Sequence, residues 1–154
     1  MIEFPMLAFK LEGNGEHISL SICEVYGFPE EISYGGGYGA KGSLEICVGS
    51  YNVHADHYFT TGELYAFFCQ LQKCYDSVSG EAILTNTEQK LQLKLSFEKT
   101  GKVIVAGEFQ ERHDVNTKLT FEMITDQTAI SSVLRELLNV YGSFGNEKGI
   151  SQKL

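Results

Sequence analysis

Two runs of alternating apolar and polar residues, each followed by one run of helical periodicity, make up most of this chain. Leu7, Phe9 and Leu11 alternate with polar or small neighbours, and Ile18, Leu20 and Ile22 do so again after Gly13-Asn14-Gly15. Alternation on both sides of a turn signal predicts a β-hairpin over residues 6–26. Residues 27–42 read as a long loop whose glycines tolerate backbone angles that other residues avoid. Leu44, Ile46 and Val48 make the next strand. Gly49-Ser50 turns it into a strand over 51–59, where Val53, Ala55 and His57 face opposite to His54, Asp56 and Tyr58.

The first helix is announced by its cap. Thr60 followed three residues later by Glu63 is a capping box, because each side chain can satisfy a backbone N–H of the other residue. Leu64, Phe67, Phe68, Leu71, Tyr75 and Val78 then recur at helical spacing, and Gly80 reads as the stop. The expected helix covers about 61–79.

The second half follows the same plan. Ala82–Leu84 is a weak strand, and Leu91, Leu93, Leu95 and Phe97 alternate strictly. A turn at 99–102 leads into Val103, Val105 and Phe109. Residues 110–117 are a polar loop, and Leu119, Phe121 and Met123 form the last strand. Asp126 is placed to cap a helix over about 127–141, with Ile130, Val133, Leu134, Leu137 and Tyr141 on its apolar face and Gly142 as its end. The caps Thr60 and Asp126 stand 66 residues apart (126 − 60). The halves share little residue identity, so a shared layout is a better description than a duplication.

The pattern predicts an α+β fold: seven or eight mostly antiparallel strands in a curved sheet or sandwich, with two amphipathic helices. Short hairpin connections favour antiparallel pairing. At 154 residues the chain reads as a single domain over 1–142 with a flexible tail over 143–154. A chain of this size buries roughly 68–70% of its unfolded surface, so it needs no metal or disulfide to fold.

Charge narrows the partners. Twelve basic against twenty acidic residues give −8, which repels nucleic-acid backbones and anionic membranes. The excess suits either plain solubility or a basic protein partner. No signal peptide or membrane span is read, and the four cysteines, Cys23, Cys47, Cys69 and Cys74, include no C-x-x-C pair. The expected location is the cytoplasm, with reduced thiols.

Catalytic signatures are weak. Gly37-Tyr38-Gly39-Ala40-Lys41-Gly42 matches G-x-G-x-x-G in letters, but it precedes a strand and opens no helix, so no helix N-terminus meets a pyrophosphate. His54, Asp56 and His57 are the densest metal-capable group, yet on a strand at most two of them converge. A solvated strand face is the plainer reading, and no cofactor or metal is assigned. A small-molecule or metal-dependent enzyme using the His54–His57 region is the alternative from another class, and a structural or assembly protein pairing through a sheet edge is a third. The loop offers Tyr26, Phe28, Tyr34 and Tyr38 beside Glu30 and Glu31. These six residues are either a protein-contact patch or rings folded back on the core.

Several segments together resemble the WapI family of bacterial immunity proteins. They are FPMLAFKLEGNGEHISLSICEVYGFPEE, ISYGGGYGAKGSLEI, FTTGELYAFFCQLQKCY, FEKTGKVIVAGEFQ and the step Thr125-Asp126-Gln127 into the last helix. The likeness covers about residues 4–142. It implies a small cytoplasmic protein, not an enzyme, that binds the toxic C-terminal domain of a cognate secreted toxin, often a nuclease, and blocks it in the producing cell. It carries over no binding residues and leaves the oligomeric state open.

Overall fold

A computed structural model describes residues 2–150 of the chain. Strands β1 (Met6–Gly13), β2 (Glu16–Val25), β3 (Gly39–Val48) and β4 (Tyr51–Thr60) form one antiparallel sheet in sequential order, followed by helix α1 (Thr61–Ser77). Strands β5 (Gly80–Thr85), β6 (Leu91–Phe97), β7 (Lys102–Phe109) and β8 (Leu119–Asp126) repeat that meander in a second sheet, followed by α2 (Gln127–Phe144). The α+β class, the eight antiparallel strands and the two helices match the expectation from the pattern.

Alternation sets the layers. Leu91, Leu93, Leu95 and Phe97 of β6 are all buried, as are Ile18, Leu20 and Ile22 of β2 and Leu44 and Ile46 of β3. Burying each such side chain contributes roughly 1.5–3 kcal/mol. The inner faces of both sheets and the apolar stripes of both helices join in a single core cluster. Helix α1 packs on β5 and on α2, and α2 packs on β1. Each helix therefore lies against the first strand of the sheet it does not follow, which locks the two halves together.

The sheets are also joined at their edges. Thr125 Oγ1 on edge strand β8 donates to the Glu12 carbonyl on edge strand β1 at 2.6 Å. Gly13 lets these strands approach, since a Cβ there would overlap the Ile124 carbonyl oxygen. The hairpin turn before β2 has positive φ at both Asn14 (51°) and Gly15 (79°), the twist that suits a two-residue turn between right-twisted strands.

Three boundaries differ from the expectation. β3 begins at Gly39, so the loop is shorter than 27–42. Gly42 sits inside that strand because the Ser21 carbonyl and the Phe59 ring leave no room for a Cβ. Helix α1 stops at Ser77, with Val78 as a left-handed cap (φ 52°), and Gly80 opens β5 instead of ending the helix. Helix α2 runs through Gly142 to Phe144, and Gly145 is its cap. Its buried stripe takes Val140 and Phe144 in place of Tyr141, because Phe144 packs against Phe28 and Phe4 at 5.2 and 6.5 Å. Beyond the helix, Gly145–Ile150 form a turn closed by Asn146, whose backbone N–H donates to the Ile150 carbonyl at 3.0 Å. Residues 151–154 of the expected tail lie outside the described residues.

Candidate functional site

The Tyr-Gly loop is built on the N-terminus of α1. Thr60 caps the helix: its hydroxyl accepts from Glu63 N–H at 3.1 Å, and the Glu63 carboxylate accepts from Thr60 N–H at 2.6 Å. The loop then lies against the same turn. Tyr38 N–H donates to Thr61 Oγ1 at 2.8 Å, Thr61 N–H donates to the Tyr38 carbonyl at 2.9 Å, and Gly62 N–H donates to the Gly36 carbonyl at 3.2 Å. This approach needs glycine on both sides. A Cβ at Gly37, whose φ is 64°, would overlap Thr61 Oγ1, and one at Gly62 would fall 2.5 Å from the Gly36 carbonyl. The C-terminal turn completes the cradle, since Gly37 N–H donates to the Glu147 carbonyl at 2.6 Å.

The six loop residues named from the sequence divide in two. Tyr38 is 3% exposed. Its ring meets Phe28 edge-on at 5.0 Å, and its hydroxyl donates to the Pro29 carbonyl at 3.3 Å with the Gly149 carbonyl at 3.4 Å. It is an anchor of the loop and offers no contact surface, a correction to its place in the expected patch. Phe28 is intermediate in role: its ring packs on Tyr38 and Phe144 while 40% of it stays exposed. Tyr26, Tyr34, Glu30 and Glu31 face solvent.

Around Tyr26 and Tyr34 the surface is concave. A hollow of about 270 Å³ is lined by both rings together with Tyr58 of β4 and the carboxylate-bearing Glu63 and Glu88. Ile32, 51% exposed, adjoins it. The Tyr26 hydroxyl donates to the Glu24 carboxylate at 2.7 Å, and that bond together with burial pushes its pKa up to about 12. The phenol therefore stays neutral and donates this bond. Tyr58 was not singled out by the sequence. Its signal was the outward position on β4, which the register places opposite Lys41.

A larger groove of about 420 Å³ lies between β4 and the 110–117 loop, lined by Val53, His54, Ala55, Arg112, Val115 and Lys118 among others. Its cations are paired, Arg112 with Asp114 at 2.6 Å and Lys118 with Glu108 at 3.3 Å. Its charge is mixed where the loop surface is acidic.

The His54–His57 group does not converge. His54 and Asp56 point outward and His57 inward, as strand alternation requires. Asp56 pairs with Lys41 at 3.9 Å. The ring of His57 is 3% exposed and stacks on Phe59 at 5.8 Å, and burial pushes its pKa down to about 4. His113, in the 110–117 loop, meets the Glu88 carbonyl at 2.9 Å. Among the described residues, the metal-capable side chains that do meet are His17, Glu45 and Cys47 on the outer face of the first sheet. Sequence reading missed them because they are brought together only by the pairing of β2 with β3.

Among the described residues no helix is long and apolar enough to cross a membrane. Compared with curated proteins, the chain finds no match. A family model, the Immunity protein WapI-like family, matches residues 7–145, a span that takes in both sheets, both helices and the Tyr-Gly loop. The chain belongs to the Immunity protein WapI-like family.

Proposed function

We propose that this protein neutralises the toxic domain of a cognate toxin by binding it directly, without catalysis, in the cytoplasm of the cell that makes both. The observation that carries the interface is the acidic, aromatic hollow around Tyr26, Tyr34 and Tyr58. Tyrosines give large contact area at low entropy cost, and exposed carboxylates at Glu30, Glu31 and Glu88 suit a basic partner. The net charge of −8 adds long-range attraction, which speeds capture of a basic domain such as a nuclease. Membership of an immunity family supports the same reading.

The loop is held by glycine contacts, the Thr60–Glu63 capping box and the Tyr38 anchor, so it meets the partner preorganised. Preorganisation reduces the ordering cost of binding and favours slow dissociation.

The test is a growth rescue. The C-terminal domain of a toxin encoded beside this gene is expressed with the wild-type chain, with Tyr34→Ala/Tyr58→Ala, and with Glu30→Lys/Glu31→Lys. Wild-type rescue and co-purification support neutralisation by binding. Absence of rescue by the wild-type chain overturns that toxin as its target. Rescue and affinity unchanged in both variants place the interface elsewhere.

A further inference from the structure

The outer face of the first sheet carries a different chemistry from the loop. His17 lies on β2, Glu45 and Cys47 on β3, and His54 on β4. The register sets His17 opposite Cys47 and His54 opposite Glu45. Alternation turns all four away from the core, and none is fully buried. Glu45 is the centre of the group. Its Oε1 lies 2.6 Å from His17 Nε2 and 3.8 Å from Cys47 Sγ, and its Oε2 lies 3.5 Å from His54 Nε2. The donor atoms of His17, Glu45 and Cys47 all fall within 4.8 Å of one another.

We propose that His17, Glu45 and Cys47, with His54 as the fourth ligand, form a binding site for a zinc ion. One thiol, two imidazoles and a single carboxylate are the donor set of a borderline-soft metal, and they would leave magnesium or calcium poorly served. A tetrahedral zinc site with ordinary Zn–N, Zn–O and Zn–S bonds has ligand-to-ligand edges of about 3.3–3.8 Å. The Cys47–Glu45 Oε1 distance is already close to that length, while His54 faces the other carboxylate oxygen, Oε2, and stands outside the three mutually close donors. The short His17–Glu45 hydrogen bond has to open by about 1 Å, and the His54 ring has to turn toward the ion, both through side-chain torsions.

The strands need not move, because three paired antiparallel strands already fix the Cα positions. His54, with a side chain 70% exposed, has the freedom to swing onto the ion. It also lines the 420 Å³ groove, so the ion would sit at the rim of that groove. Binding takes the metal in and releases the Cys47 thiol proton, with both imidazoles bound in their neutral form and the Glu45 carboxylate already ionised. Affinity therefore weakens as the pH is lowered. This site is independent of the toxin reading.

The experiment loads the full chain with zinc, removes unbound metal by gel filtration, and counts the metal retained per chain. Cobalt(II) is then titrated as a spectroscopic probe. The expected result is one zinc per chain and a near-ultraviolet thiolate-to-cobalt band. Cys47→Ser should abolish the band, and both Cys47→Ser and His17→Ala should weaken zinc binding at least tenfold. All these side chains are on the outer face, and circular dichroism confirms that each variant is folded. No stoichiometric zinc at micromolar metal, or wild-type affinity in either variant, overturns the proposal.

Discussion

The Asn86 carboxamide donates to the Tyr58 carbonyl at 3.0 Å, joining the loop after β5 to the outer edge of β4. Its oxygen accepts from the N–H groups of Lys90 and Leu91, at 2.9 and 3.3 Å. Asn86 is 4% exposed and so fills three hydrogen-bonding roles out of reach of bulk water. With the Thr125–Glu12 bond at the opposite edge, it closes the first sheet against the second. It also fixes the strand that presents Tyr58 to the hollow.

Replacing Asn86 with alanine leaves the Tyr58 carbonyl and two N–H groups without these partners. The expected destabilisation is about 2 kcal/mol, read as a lower midpoint in urea unfolding with an unchanged slope. An unaltered midpoint would show that water replaces these bonds at no cost.

Tyr34 and Tyr38 are four residues apart and should respond oppositely. Tyr34 is fully exposed and Tyr38 is buried. Tyr34→Ala should change stability by less than about 0.5 kcal/mol, yet weaken toxin binding by about 2 kcal/mol if its ring is an interface anchor. Tyr38→Ala should cost about 3–5 kcal/mol of stability. Thermal unfolding and calorimetric titration of both variants separate the two effects.

Gly62→Ala tests the seat of the loop. A methyl group there meets the Gly36 carbonyl, and crowding of this kind costs about 1–3 kcal/mol. The loop should lift, so amide exchange at Ser33, whose N–H donates to the Gly37 carbonyl, should accelerate. Equal exchange in both proteins would mean that the loop tolerates the methyl group.

His57 gives the fold an acid sensitivity. Its folded pKa is about 4 against an ordinary 6.5, with burial as the main cause; Glu88 opposes that shift and Lys90 adds to it. Between those values the unfolded chain binds the proton and the folded chain does not. Stability therefore rises with pH across that window, is complete above it, and is lost as the pH falls through it. The size is about 3 kcal/mol. His57→Leu should flatten the stability curve between about pH 5 and 6.5, where few carboxylates titrate. A slope as steep as that of the wild type would move the sensitivity to other groups.

Local chemistry explains what could be read directly. The period-two run Leu91–Phe97 and the Thr60–Glu63 capping box involve neighbours in sequence, whose geometry a strand or a first helical turn dictates on its own. So does the outward and inward division of His54 and His57. The ends of the helices were less legible. Gly142 is a plausible stop by local rules, but Phe144 gains more by reaching Phe28 and Phe4 than the helix loses at one glycine.

By itself the sequence determined the two runs of strands, the two capped helices and the acidic, tyrosine-rich character of the loop, because each depends on residues within a few positions of one another. Only the tertiary structure decided that Tyr38 is an anchor while Tyr26, Tyr34 and Tyr58 share a hollow. It alone brought His17, Glu45, Cys47 and His54 together, and it alone set Asn86 and Thr125 as ties between the sheets. Those relationships join residues far apart in the chain, and they exist only once strand pairing and the shared core have fixed which surfaces meet.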